Sequence, residues 1–269
     1  MLGMRRGLIS VLALFAATMA SASAAGAVQV CLWPSCGQFL VPTFGGQISP
    51  SKLPRHDYVP VTAHLFGKVK TSDGTHPSAL REAVVDVDKD IRVNVKGLPV
   101  CEAHTDVREP AKLLERVCRS SIIGRGEARF EIAFPEQEPI KIASPLFILN
   151  EGEKGGTTTL LIHTFITVPA PTETVIPVTI TQKGSGLHAI AKVPVIAGGN
   201  GSLLGFNFKL GKTYEYRGRK LGYLEAKCPD SVFKVSIPSL LFKNETHEAG
   251  VAATTNLRGG LAIPCTPVG

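Results

Sequence analysis

Phe206-Asn207-Phe208-Lys209-Leu210 alternates large apolar with polar side chains, and Phe233-Lys234-Val235-Ser236-Ile237 does the same. A period of two sends successive side chains to opposite faces, so each stretch reads as a strand with one buried face. Working outward, Ile91-Arg92-Val93-Asn94-Val95 and Phe130-Glu131-Ile132-Ala133-Phe134 repeat the pattern. Residues 160–168 and 175–181 are rich in Val, Ile and Thr and apolar on both faces, as a sandwich interior requires. Turn formers such as Ser72-Asp73-Gly74, Lys154-Gly155-Gly156 and Gly198-Gly199-Asn200-Gly201 punctuate the chain every 8 to 15 residues. Short strands at that spacing predict an all-β fold, an antiparallel β-sandwich.

Two arrangements fit, one continuous sandwich over residues 56–269 or two β lobes divided near residues 169–172, where Pro169-Ala170-Pro171-Thr172 resembles a linker. One short helix is expected near residues 110–119, with Pro110 at its first position and Leu113, Leu114 and Val117 on one face. Residues 26–55, with Gly, Pro and Gln and little periodicity, read as a loosely structured N-terminal arm.

Residues 1–25 have the layout of a signal peptide: Arg5 and Arg6, a 13-residue apolar run over 8–20, then Ala22-Ser23-Ala24 as a small-residue cleavage pattern. Thirteen residues are too few to span a hydrocarbon core of ~30 Å as a helix. Export by this leader predicts a secreted, extracellular protein with no stable membrane anchor. The paired arginines fit twin-arginine export as well as the general route. The mature chain carries 27 basic against 22 acidic residues, a net charge of +5. That mild excess permits attraction to anionic polymers. With 17 aromatic residues and no dense basic stripe, it does not suggest a nucleic-acid partner.

All six cysteines (Cys31, Cys36, Cys101, Cys118, Cys228 and Cys265) follow the leader, and an even count in an exported chain predicts disulfides. Sequence neighbourhood favours Cys31–Cys36, Cys101–Cys118 and Cys228–Cys265, since each pair encloses one local segment. Zinc spacing is absent, because no CxxC occurs.

Catalytic patterns are missing too. No G-x-S-x-G elbow, H-E-x-x-H helix or phosphate-cradling glycine loop is found, and no cofactor is expected. Ser202, beside Gly201, reads as a turn residue. Asp86, Asp88 and Asp90 invite a calcium reading, but the sixth and twelfth loop positions are Ile91 and Gly97 where an EF-hand needs Gly and Glu. A hairpin turn at 88–90, with Val85 and Val87 facing inward, explains the run better. Glu131, Glu215 and Glu225 are candidate carboxylates for glycoside hydrolysis and fit equally well as outward strand residues. His163 shares a strand face with Leu161 and Phe165 and so reads as a buried histidine. Lys209, Lys212, Arg217, Arg219 and Lys220, interleaved with Tyr214 and Tyr216, are the candidate anion-binding residues, either an edge for an acidic polymer or a solvated hairpin.

Several stretches together resemble a group of exported proteins of soil actinobacteria that has no assigned activity: Gly97-Leu98-Pro99-Val100-Cys101, Val117-Cys118, Gly124-Arg125-Gly126, Thr167-Val168-Pro169-Ala170-Pro171 and Ala226-Lys227-Cys228-Pro229. The resemblance spans most of residues 48–269 and leaves out Cys31 and Cys36. It implies an exported, disulfide-bearing, mostly β protein and carries over no functional residue. The expectation is therefore a secreted, non-enzymatic protein binding or decorating an extracellular or envelope component, with an anionic cell-wall or extracellular polymer as candidate partner. Two rivals stand beside it: a secreted hydrolase whose site is assembled from loop His, Asp and Glu, with His163 and His188 foremost, and a carbohydrate- or calcium-dependent binding module.

Overall fold

A computed structural model describes residues 28–31 (backbone only), 40–101, 111–245, 247 and 253–269. Residues 1–25, Cys36 and Pro110, the expected first residue of the helix, lie outside them.

The alternation at 206–210 does what its period demands. Strand β12 (Gly201–Leu210) turns Phe206, Phe208 and Leu210 toward the core and exposes Asn207 and Lys209. It pairs antiparallel with β4 (Val59–Thr71) and β7 (Ile122–Ile132). From β7 the sheet continues through three consecutive hairpin neighbours, β8 (Ile140–Lys154), β9 (Thr157–Ile166) and β10 (Thr172–Lys183). It then passes to β11 (Gly186–Lys192), β5 (Ala79–Asp88), β16 (Val232–Lys243) and β17 (Thr254–Pro264). At the other end β4 pairs with β2 (Leu40–Ser49), and β2 with β1 (Val28–Cys31). Every pairing along this path is antiparallel. β17 comes back alongside β1 and β2, so the sheet doubles over and its inner faces meet as the two layers of a β-sandwich. The all-β expectation holds.

Short pieces complete the fold. β15 (Leu224–Ala226) pairs with β4 and with β6 (Ile91–Val93), while β13 (Thr213–Tyr216) and β14 (Arg219–Gly222) form a separate hairpin. β3 (Lys52–Pro54) and β18 (Thr266–Val268) make the one parallel pair among the described residues.

The arm expected over 26–55 is corrected for residues 40–54. β2 is a ten-residue strand inside the large sheet, and β3 is paired as well. Its inward row is Leu40, Pro42, Phe44, Gly46 and Ile48, which proline and glycine make hard to recognise. Gly46 is small because of its neighbours: a Cβ there would stand 3.0 Å from Leu65 Cδ2 and 3.1 Å from Ile263 Cδ1, where β17 closes against β2. Residues 169–171 connect β9 to β10, which pair from Thr172 opposite Ile166 onward, so both flanks of that proline-rich stretch belong to one sheet.

The helix α1 spans Ala111–Val117. Of its expected apolar face only Leu114 is buried, while Val117 is 52% exposed. α1 lies against the outer face of β7–β9, where Leu114, Cys101 and Cys118 join Ile122, Phe147, Leu149 and Phe165 in a second small core. That cover explains why β9 is apolar on both faces.

Two expected disulfides are formed, Cys101–Cys118 and Cys228–Cys265, with Cα separations of 5.2 and 6.2 Å. Such bonds mark a protein kept out of the reducing cytoplasm. Among the described residues no helix is long and apolar enough to cross a membrane.

Candidate functional site

The inward rows of the strands do not meet completely. Between the layers lies a cavity of about 290 Å³, to which nearly every long strand contributes side chains at period two. Phe44, Leu65, Phe130, Ile162, Ile176 and Phe208 are representative of its wall. No charged side chain lines it, and the one polar residue among its lining is Thr164. Thr164 follows Ile162 on the inner face of β9 and is 1% exposed, and its Oγ1 has no hydrogen-bond partner. Val85 and Val87 face this cavity as expected. A second depression of about 330 Å³ lies beside Ile132, Phe134, Pro169 and Gly198.

The titratable clusters sit outside that cavity. The most suggestive joins three residues distant in sequence: His76 Nδ1 is 2.8 Å from Glu131 Oε1, and His76 Nε2 is 3.0 Å from Ser202 Oγ. A serine, a histidine and a carboxylate in that order have the connectivity of a nucleophile, base and orienter. The hydrogens oppose that use. Ser202 Oγ also lies 2.6 Å from the Pro77 carbonyl, which can only accept, so the single hydroxyl hydrogen is committed there. Nε2 must then donate to Ser202 rather than take its proton. With Ser202 2% exposed and the His76 and Glu131 side chains 7% and 9%, the trio ties the loop before β5 to β7 and β12. Glu131, read from sequence as outward-facing, is thus buried, and Ser202 is more than a turn residue.

His163 and His188 each have a carboxylate partner. His163 is fully buried with Nδ1 2.5 Å from Glu173 Oε1, on the face of β9 opposite the cavity. His188 Nδ1 is 2.6 Å from Asp86 Oδ1, a pair more than a quarter exposed. Neither histidine lines either cavity.

The aspartate run is spent on local structure. Asp88 accepts from the backbone N–H groups of Asp90 (3.0 Å) and Lys234 (3.0 Å), and Asp90 is buried within 3.5 Å of Lys227 Nζ. Lys89 and Asp90 form the turn between β5 and β6. Among the described residues no group of three potential ligands is placed to hold a metal ion. Glu225, also read as outward-facing, is buried. Its Oε2 accepts from Arg92 Nε (2.9 Å) and an Arg92 terminal nitrogen (2.7 Å), while Oε1 accepts from the Gly222 N–H. Glu215 is exposed as expected.

The five candidate anion-binding cations divide. Arg217, Arg219 and Lys220 share the exposed β13–β14 hairpin, where Arg217 stacks 5.2 Å from the Tyr216 ring and Lys220 is in register with Glu215. This hairpin is anchored by Tyr214, whose hydroxyl donates to the Asn94 carbonyl, and by the Tyr216 ring, which lies so close to Gly97 (φ +75°) that no Cβ would fit. Lys209 stands on the outer face of β12, in register with His64 and Arg125. Lys212 is drawn inward to donate to the Ser120 carbonyl, and burial, with the Arg125 charge beside it, lowers its pKa.

No family model matches the chain, and no curated protein or solved structure does either.

Proposed function

We propose that this is an exported, non-enzymatic β-sandwich protein that binds an extracellular or envelope component and takes up its apolar part in the interior cavity. The cavity carries this reading: a space of about 290 Å³ with one polar lining residue is large for a packed β core. Apolar cavities of ~150 Å³ stay dry and accept benzene or xenon. Export is supported by the leader-like residues 1–25 and by the two disulfides.

The test is uptake of the dye N-phenylnaphthylamine, fluorescent in apolar surroundings, by the mature protein and by Ala189→Leu. Ala189 lines the cavity, so the larger side chain fills it. Dye uptake by the parent, lost in a variant that still melts cooperatively, is the expected result. Equal uptake by both proteins overturns the cavity reading.

The exposed hairpin carrying Arg217, Arg219 and Lys220 favours a second contact, with an anionic cell-wall polymer. Co-sedimentation with wall material that fades with salt, and weakens in Arg217→Ala/Arg219→Ala/Lys220→Ala, would support it. Salt-resistant binding unchanged in that variant removes the hairpin from the account.

A further inference from the structure

The outer face of β2, β4 and β12 carries an arrangement that neither the cavity nor the hairpin uses. Residues alternating with the cavity-lining Ile48, Leu65 and Phe208 point outward there: Gln47 on β2, His64, Phe66 and Lys68 on β4, Asn207 and Lys209 on β12. Asn207, Lys68 and Lys209 are exposed and the other three half-buried. His64 ties the three strands together. Gln47 Nε2 can only donate, and it does so to His64 Nδ1 at 2.7 Å. The ring proton therefore sits on Nε2, which donates to Asn207 Oδ1 at 2.6 Å. Both amides are thereby fixed in orientation, with Gln47 Oε1 left as an acceptor and Asn207 Nδ2 as a donor. Phe66 lies in register with Asn207, its ring centroid 5.6 Å from that of His64. Lys209 is in register with His64, and Lys68 stands two residues beyond Phe66, so cations bracket the ring. Neither lysine has a carboxylate partner among the described residues, whereas Arg125 and Arg129 on neighbouring β7 are each held by a glutamate, Glu115 at 2.6 Å and Glu127 at 2.8 Å.

We infer that this face binds an acidic polysaccharide whose sugar rings carry carboxylates. An aromatic face is negative and attracts the polarised C–H bonds on the flat side of a sugar ring, so Phe66 seats one residue of the chain. Asn207 Nδ2 and Gln47 Oε1 meet its hydroxyls, which both donate and accept. Lys68 and Lys209 meet carboxylates on either side of that residue, separated by about 13 Å along β4, so more than one sugar takes part. Charge complementarity decides the occupant: a neutral glycan leaves both lysines idle, and a polyanion without sugar rings leaves Phe66 and the two amides idle. The inference rests on the anionic-polymer contact proposed above, to which it gives a site and a chemistry, and is independent of the cavity.

Calorimetric titration of the mature protein with polygalacturonate and hyaluronate tests this, with dextran as the neutral control and polyglutamate as the sugarless polyanion. The variants are Lys68→Ala/Lys209→Ala, Phe66→Ala and the hairpin substitution Arg217→Ala/Arg219→Ala/Lys220→Ala. The parent should bind at least one acidic glycan more tightly than either control, and less tightly as salt rises. The lysine pair and Phe66→Ala should each weaken that binding roughly tenfold, while Phe66→Ala leaves polyglutamate unaffected. Equal affinity for polyglutamate, or glycan binding unchanged in the lysine pair, overturns the inference. Loss confined to the hairpin variant also overturns this site, while the anionic-polymer reading stands. Absence of binding to every polyanion overturns both, and dye uptake by the cavity is untouched by any of these results. Should Phe66→Ala fail to fold, Asn207→Ala at its exposed position must weaken the glycan and spare polyglutamate, and no change in glycan binding there counts against the inference.

Discussion

His76, Glu131 and Ser202 are separated by 55 and 71 positions along the chain, and no local pattern announces their meeting. Residue types alone suggest a hydrolase, and the direction of one hydroxyl hydrogen argues against it. Ser202 should therefore resist labelling by a fluorophosphonate, and Ser202→Ala should cost about 1–2 kcal/mol in urea unfolding as the Pro77 carbonyl loses its donor. Covalent labelling at Ser202, read by peptide mass, would restore the hydrolase. Tyr223 is the other telling residue. It is fully buried with no partner for its hydroxyl, and burial raises its pKa above the ordinary value of 10.0. Below that value the phenol is protonated in both states and contributes no pH dependence. Above it the unfolded chain releases a proton that the folded chain keeps, so stability falls as pH rises, at up to ~1.4 kcal/mol per pH unit. Tyr214, raised by burial and by Glu225, acts in the same direction, while Lys212, lowered by burial, opposes it just below its ordinary value of 10.5. Urea melts at pH 8 and pH 11 should show Tyr223→Phe losing less stability than the parent, and equal losses would contradict this assignment.

At the scale of elements, α1 shows how little local signal a short helix needs when it is stapled. Seven residues are too few to persist alone, and only Leu114 is deeply buried, yet the Cys101–Cys118 bond closes its segment onto β7–β9. With a sequence separation of 17, the chain-entropy model gives that bond ~3 kcal/mol. Cys101→Ala/Cys118→Ala should accordingly abolish amide-exchange protection in residues 111–122 while β10 and β11 keep theirs. Uniform loss across the sheet would mean that the second core is not a separate unit. β2 illustrates the converse, a strand whose sequence hides it. Its alternation is interrupted by Pro42 and Gly46, and the reason for Gly46 is a pair of side chains supplied by β4 and β17. No window along residues 40–49 contains that information.

At the scale of the molecule, the halves on either side of residues 169–171 are interleaved. β5, from the first half, lies between β11 and β16 of the second, and β4, also from the first half, pairs with β12 and β15 of the second. Fragments 40–168 and 172–269 expressed separately should therefore show no cooperative melt, and should recover one only when mixed. A cooperative melt by either fragment alone would re-establish two lobes. The alternating strands, β2 excepted, with their inward faces, and the cysteine neighbours at 101–118 and 228–265 were determined by the sequence itself, because period-two burial and short-range pairing are written into adjacent residues. The order of strands, the enclosed cavity with Thr164 in its wall, and the burial of Glu131 and Glu225 were decided only by the tertiary structure. These depend on which distant strands become neighbours, and side chains far apart in the chain acquire a common environment only when the sheet doubles back on itself.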